Sequence, residues 1–219
     1  MDGLLALCLS ISMLMISKFL ITSDYIDLFA GILSLSISLN IKNEGILGTI
    51  AVIISLMLFT LIFCKRTSIK QKLLFNWKWL LVWLPTLIPF LLWTLSVNQW
   101  DLSNDLNIGS TQFFQNIGKR MFDGSFSTIL LRSYREISGA VLILVICLTA
   151  ILIWKKEMNK VIYLPLISSL LIFLGLVTVY LSTPHDLTWH LNTSVDRTML
   201  PVIGGILIAS YYLLESIET

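Results

Sequence analysis

Charged residues are scarce in this chain. Asp, Glu, Lys and Arg make up 13% of its 219 residues, about half of the roughly 25% usual in soluble domains. Hydrophobic residues make up 56%, and the mean hydropathy is +0.86. A soluble fold of this size cannot hide that much apolar surface, so the soluble classes are excluded. Cysteine is scarce too. Cys8 and Cys147 fall inside apolar runs and Cys64 at the end of one, so they read as small packing residues and no disulfide framework is expected. Strand-like alternation is missing, which removes a barrel and leaves helices as the way to satisfy a backbone in lipid. The longest stretch outside the apolar runs is too short for a soluble domain, and no solenoid repeat is visible.

What the chain does have is a series of apolar runs near the spanning length of roughly 20 residues. They cover residues 4–21, 28–41, 45–64, 80–97, 139–154, 161–182 and 199–214. The expected fold is all-α: a polytopic membrane helical bundle of about seven transmembrane helices, one domain over residues 1–219. The second, fifth and seventh runs are short, so tilt or local thinning of the bilayer is expected there.

A net charge of +2 says little about partners, and no nucleic acid is expected among them. The placement of the charges says more. Lys65, Arg66, Lys70, Lys72 and Lys78 crowd one connection and Lys155, Lys156 and Lys160 another, which the bias of cations toward cytoplasmic loops places inside. Alternation then puts Lys18 inside as well. It puts the Met1 end, the turn at residues 42–45, and the segments 98–138 and 183–198 outside.

Residues 65–79 mix cations with Leu73, Leu74, Trp77 and Trp79, which suits a linker anchored on an anionic inner leaflet. In the long outer loop, Trp93 and Trp100 stand at belt depth. Further along, Phe113, Phe114, Ile117, Met121 and Phe122 follow a helical period, with Lys119 and Arg120 on another face. An interfacial helix capped near Ser110 or Thr111 is expected on the outer surface.

Three polar clusters share that outer face. Ionisable groups at helix mouths in lipid are functional candidates by default. The first is the turn Ile41-Lys42-Asn43-Glu44-Gly45, where Gly45 lets the chain reverse and Lys42 can offer an ammonium to a phosphate. The second is the segment from Thr183 to Arg197, which holds both histidines, His185 and His190, with Asp186, Trp189, Asp196 and Arg197. On a helix, His185 and Trp189 would share one face and Asp186, His190, Thr193 and Arg197 another. The histidine spacing is not the four-residue pairing of helical zinc sites, so no metal centre is expected there. Arg197, always charged and fork-shaped, suits a phosphate or pyrophosphate. The third is Met1-Asp2-Gly3, a carboxylate at the mouth of the first span.

Together these residues resemble the GT-C superfamily of membrane glycosyltransferases, in particular the bacterial group related to dolichyl-phosphate-mannose protein mannosyltransferases. Lys42-Asn43-Glu44-Gly45 is similar to a turn of that group. Thr183-Pro184-His185-Asp186-Leu187-Thr188-Trp189-His190-Leu191-Asn192-Thr193-Ser194 with Asp196-Arg197 is similar to its last outer loop. The resemblance covers the C-terminal part of the family pattern and implies transfer of a sugar from a polyprenyl-phosphate donor at the outer face of a bacterial inner membrane. Asp2 then corresponds to the acidic residue of a second outer loop. The family's catalytic aspartate would lie in a preceding loop, so no residue here is singled out as catalytic.

The resemblance implies Asp2, Lys42, Glu44, His185, Asp186, His190 and Arg197 as substrate-binding residues. It implies a lipid-linked sugar donor, membrane lipids and a separate N-terminal half as partners, and a divalent cation as a candidate cofactor. By itself the chain is expected to be inactive in transfer. The rival expectation is a non-catalytic membrane subunit or lipid-headgroup-binding protein. Transport is disfavoured because the spans hold no mid-span carboxylate of the kind that ion coupling uses.

Overall fold

Long apolar runs with few helix breakers leave the backbone one economical solution, and the structure takes it. The computed structural model describes residues 1–63, 88, 90–92, 94–96, 99, 111–154 and 158–218. Among them it holds helices and turns and no strand. Helix α1 spans Asp2–Thr22, α2 Tyr25–Ile41 and α3 Asn43–Phe63. After the undescribed stretch come α4 at Thr111–Phe122 and α5 at Ser125–Trp154. A 3-10 turn at Lys160–Ile162 leads into α6 at Tyr163–Ser182, followed by α7 at Leu187–Thr198 and α8 at Leu200–Glu218.

Five segments are long and apolar enough to cross a membrane: Asp2–Thr22, Asn43–Phe63, Ser125–Trp154, Lys160–Ser182 and Leu187–Ser216. Helix α2 is apolar but has only 17 residues, about 26 Å of rise against a hydrocarbon core of about 30 Å. Of the seven expected runs, 80–97 falls mostly outside the described residues, and Cys64, the linker at 65–79, Lys155 and Lys156, Trp93 and Trp100 lie outside them. This is therefore an all-helical membrane protein with five span-length segments among the described residues.

Tight joints fix how the first three helices meet. Ser23 takes the left-handed conformation (φ 58) after α1, and Asp24 then caps α2 by accepting the Ile26 N–H at 2.9 Å. A single extended residue, Lys42, separates α2 from α3. Gly45 is needed there for a reason other than chain reversal. A Cβ at this position would overlap the Ser38 carbonyl of α2, so the two backbones touch where Ser38 Oγ and Thr49 Oγ1 share a hydrogen bond of 2.9 Å. Such small-residue contacts are how helices pack where lipid is as apolar as leucine.

Two apolar clusters form the core. One gathers Leu9, Met13 and Ile16 of α1 with Leu35, Leu164 and Leu213. The other, toward the end of the bundle where α7 sits, gathers Ile129, Ile172, Tyr180, Leu191, Val195 and Met199. Helix α5 begins at Ser125, not at Gly139 as the run of apolar residues predicts. The reason is a second stripe: Ile129, Ser133 and Ile137 recur every four residues and are buried, while Arg132 and Arg135 stay exposed. Residues 125–138 of the expected outer loop are therefore the first half of a 30-residue helix.

The charged groups collect at the two ends of the bundle. At the end where α1 meets α2, the Lys18 ammonium lies 2.9 Å from the Asp27 carboxylate, which also accepts from Thr22 Oγ1 at 3.2 Å. Asp27 belongs to the first turn of α2 and is buried, its charge matched by Lys18. Near that end Asn159 N–H donates to Ser216 Oγ at 3.2 Å, and Phe63 stacks on Tyr163. The opposite end holds the polar clusters.

Candidate functional site

Four residues from three distant parts of the chain meet at that opposite end. Asp2 enters because α1 starts there, with its carboxylate in the first turn, where the helix dipole favours an anion. Lys42 enters because it is the lone joint between α2 and α3, and Glu44 because it opens α3. Arg197 enters because it lies in the last turn of α7, where a cation is favoured.

These residues form one ion-pair network. The Lys42 ammonium donates to Asp2 Oδ1 at 3.1 Å and lies 3.1 Å from Glu44 Oε1. The Arg197 guanidinium stands 3.5 Å from Asp2 Oδ2, so the two oxygens of Asp2 face different cations. Arg197 also donates to the Thr193 carbonyl and lies 3.9 Å from the exposed Asp196. Partial burial pulls the Lys42 ammonium down, but the Glu44 charge and the hydrogen bonds to Asp2 and Glu44 outweigh it and leave it above the usual lysine value.

Beneath the network lies a small cleft of about 10 Å³, room for about one water. Asp2, Lys42, Glu44 and Arg197 form its polar rim, and Leu9, Leu47, Ile172 and Leu176 are among its apolar walls. Its charged rim suits an anionic group, while the space between its apolar walls is too small to enclose a hydrocarbon tail.

The histidines form a second cluster beside this rim. The His185 and His190 rings are 6.1 Å apart, edge to face. His185 also meets Trp189 at 5.7 Å and His190 meets Tyr180 at 5.0 Å. His190 Nδ1 is buried without a hydrogen-bond partner, which costs free energy unless something supplies one. The charges of Lys42 and Glu44 reach both His190 and Tyr180, so the clusters belong to one polar end. The segment holding them is not a plain connector: from Leu187 onward it is helix α7.

Asp186 has a structural task. Its side chain accepts the Trp189 N–H at 2.8 Å as the N-cap of α7, which stabilises a helix start by about 1 kcal/mol. That structural duty accounts for its position, and it takes no part in the Lys42 and Arg197 network.

Several residues that sequence reasoning did not single out hold the site together. Tyr180 Oη shares hydrogen bonds with Ser194 Oγ at 3.0 Å and Thr198 Oγ1 at 2.7 Å, tying α6 to α7. Arg120 of α4 donates to the carbonyls of Tyr180, Thr183 and His185 at 3.0, 2.8 and 2.9 Å. Asn116 donates to Ser182 and Thr183 at 3.3 Å. Burial lowers the Arg120 guanidinium somewhat, against the charges of Asp123 and Asp186, yet a guanidinium stays protonated at any pH of interest. The signal available beforehand was a basic residue spaced four from Asn116 on a short amphipathic helix, which does not name its partner.

No protein family, curated protein or solved structure matches the chain.

A divalent cation does not fit at Asp2 in this arrangement. Both carboxylate oxygens already face cations, and among the described residues no three His, Cys, Asp or Glu side chains gather into an all-protein metal cage.

Proposed function

We propose that this chain is the membrane-embedded, C-terminal part of a glycosyltransferase-like protein, built on about seven transmembrane helices, that binds a polyprenyl-phosphate sugar donor at the outer face of a bacterial inner membrane. The observation that supports it is the convergence of Lys42 and Arg197 on Asp2 at 3.1 and 3.5 Å, above a cleft with apolar walls. A phosphate at the rim replaces Asp2 as partner of both cations, and the prenyl chain extends outside the cleft into the lipid. Arg197 offers a fork and Lys42 a point charge, the pair of donors that a departing lipid phosphate needs. His190 and His185 stand beside that position, within reach of the sugar side. Helix α4 lies in the headgroup layer as an outer interfacial helix, with Phe114, Met121 and Phe122 exposed.

The rival reading is a non-catalytic subunit that binds a lipid headgroup. It is favoured by the pairing of Asp2 and Glu44 with Lys42, which leaves neither carboxylate placed to act as a base. Binding and transfer separate the two. The purified chain in lipid nanodiscs should bind farnesyl phosphate and not farnesol, and Arg197→Ala and Lys42→Ala should each weaken that binding. Equal affinity for both probes removes the lipid-phosphate reading. Transfer of labelled sugar on adding an N-terminal half decides for the enzyme, and binding without transfer decides for the subunit.

A further inference from the structure

Helix α6 ends without the usual device for closing a helix. Its C-cap is Thr183 (φ −51, ψ 136), whose N–H donates to the Val179 carbonyl, followed by Pro184, with no glycine in the left-handed region to turn the chain back onto the later carbonyls. Those carbonyls carry the negative end of the helix dipole and need donors from elsewhere.

The donors come from α4. Its bundle-facing stripe, Phe113, Asn116, Ile117 and Arg120, is half-buried, and Asn116 and Arg120 reach the end of α6. Arg120 reaches beyond the helix end: Nη1 donates to Tyr180 and Thr183, and Nη2 to the His185 carbonyl. One planar fork therefore joins the last turn of α6 to the loop that carries His185. That loop passes at once into the Asp186 cap of α7, which brings Arg197 to the cleft.

We infer that Arg120 is a positioning residue that fixes the His185 loop, and through it the start of α7, against the end of α6. A lysine keeps the charge but lacks the fork that spans three carbonyls. Arg120 is assigned no ligand contact, because both Nη1 and Nη2 donate to backbone. Its role in ligand binding rests on the lipid-phosphate reading above; its role in holding the loop does not.

The test uses the whole chain in phosphatidylcholine and phosphatidylglycerol nanodiscs, labelled with carbon-13 in its histidine rings. The chain has only two histidines, so two ring signals report on the loop. Arg120→Gln should shift both signals below the unfolding temperature, Arg120→Lys should shift them less, and Lys119→Gln, at an exposed neighbour, should leave them in place. A role limited to overall stability would lower the melting temperature without moving the signals, and that result overturns the inference. If Arg120→Gln does not fold, Arg120→Lys decides: wild-type histidine signals in that variant overturn it. Farnesyl phosphate provides the second arm, with binding weakened about tenfold in Arg120→Gln. Shifted histidine signals in a protein whose wild type does not bind farnesyl phosphate uphold the positioning role and remove only the lipid-phosphate reading.

Discussion

At the scale of single residues, the chemistry of the rim turns on the difference between a fork and a point charge. Arg197 faces Asp2 and the Thr193 carbonyl at once. Replacing it by lysine keeps the charge but gives up two-point contact with a phosphate, so Arg197→Lys should weaken farnesyl phosphate binding by about three- to tenfold. Lys119→Gln, at an exposed position on α4, should change it little, and calorimetric titration of the two variants side by side checks the contrast. Lys42 makes a pH prediction. Its folded value lies above the ordinary lysine value of 10.5, so the stability it contributes is fully present below the unfolded value and lost as pH rises through the folded one. The melting temperature difference between wild type and Lys42→Ala should therefore stay constant from about pH 7 to about pH 9 and narrow above about 10.5. Lys42, Glu44 and Arg197 could be picked from the sequence because ionisable groups between apolar runs are rare and conspicuous. Gly45 was visible too, but its reason was not. Only packing shows that the Ser38 carbonyl occupies the space a Cβ would need.

At the scale of elements, apolar runs locate the spanning helices but not where they begin. A run stops at the first charge, whereas a helix continues as long as one stripe of it is buried. Helix α5 shows this. Arg132, Arg135 and Glu136 end the apolar run, yet Ile129 and Ile137 keep burying a face for more than two further turns. Ile129→Ala should therefore destabilise the protein by about 2 to 4 kcal/mol through the cavity it leaves. Leu131→Ala, at a side chain 70% exposed, should cost far less. Thermal or denaturant unfolding in matched micelles measures both. Helix α4 teaches the complementary lesson. Its period was legible, but its apolar residues divide between two sides: Phe113 and Ile117 turn partly inward, while Phe114, Met121 and Phe122 stay exposed. Arg120, expected on a face apart from the apolar residues, lies on the inward side with Phe113 and Ile117, where the end of α6 offers it carbonyls. A sequence shows a donor of this kind but not the backbone acceptors that tertiary packing brings to it.

At the scale of the whole molecule, the bundle has two chemically different ends, and they predict how it is threaded. One end holds Asp2, Lys42, Glu44 and Arg197 in ion pairs, with Arg120 and both histidines nearby. The other holds the Lys18 and Asp27 pair and the contact between Asn159 and Ser216. The 21 residues of α1 separate them, a rise of about 32 Å, which matches a hydrocarbon core of about 30 Å. Helix α3 ends and α6 begins at the second end, and in the sequence the cation-rich segments 65–78 and 155–160 come directly after the one and before the other. The bias of lysine and arginine toward the cytoplasm therefore puts the second end inside and the ion-pair network outside. In a chain whose native cysteines are replaced, Thr193→Cys, an exposed position on α7, should react with a membrane-impermeant maleimide on intact cells. Met158→Cys, exposed beside the 3-10 turn, should react only after the membrane is opened. Labelling of both from the same side would break the two-ended reading. Labelling with the sides exchanged would keep the two ends but turn the network toward the cytoplasm, where it could not meet a donor in the outer leaflet.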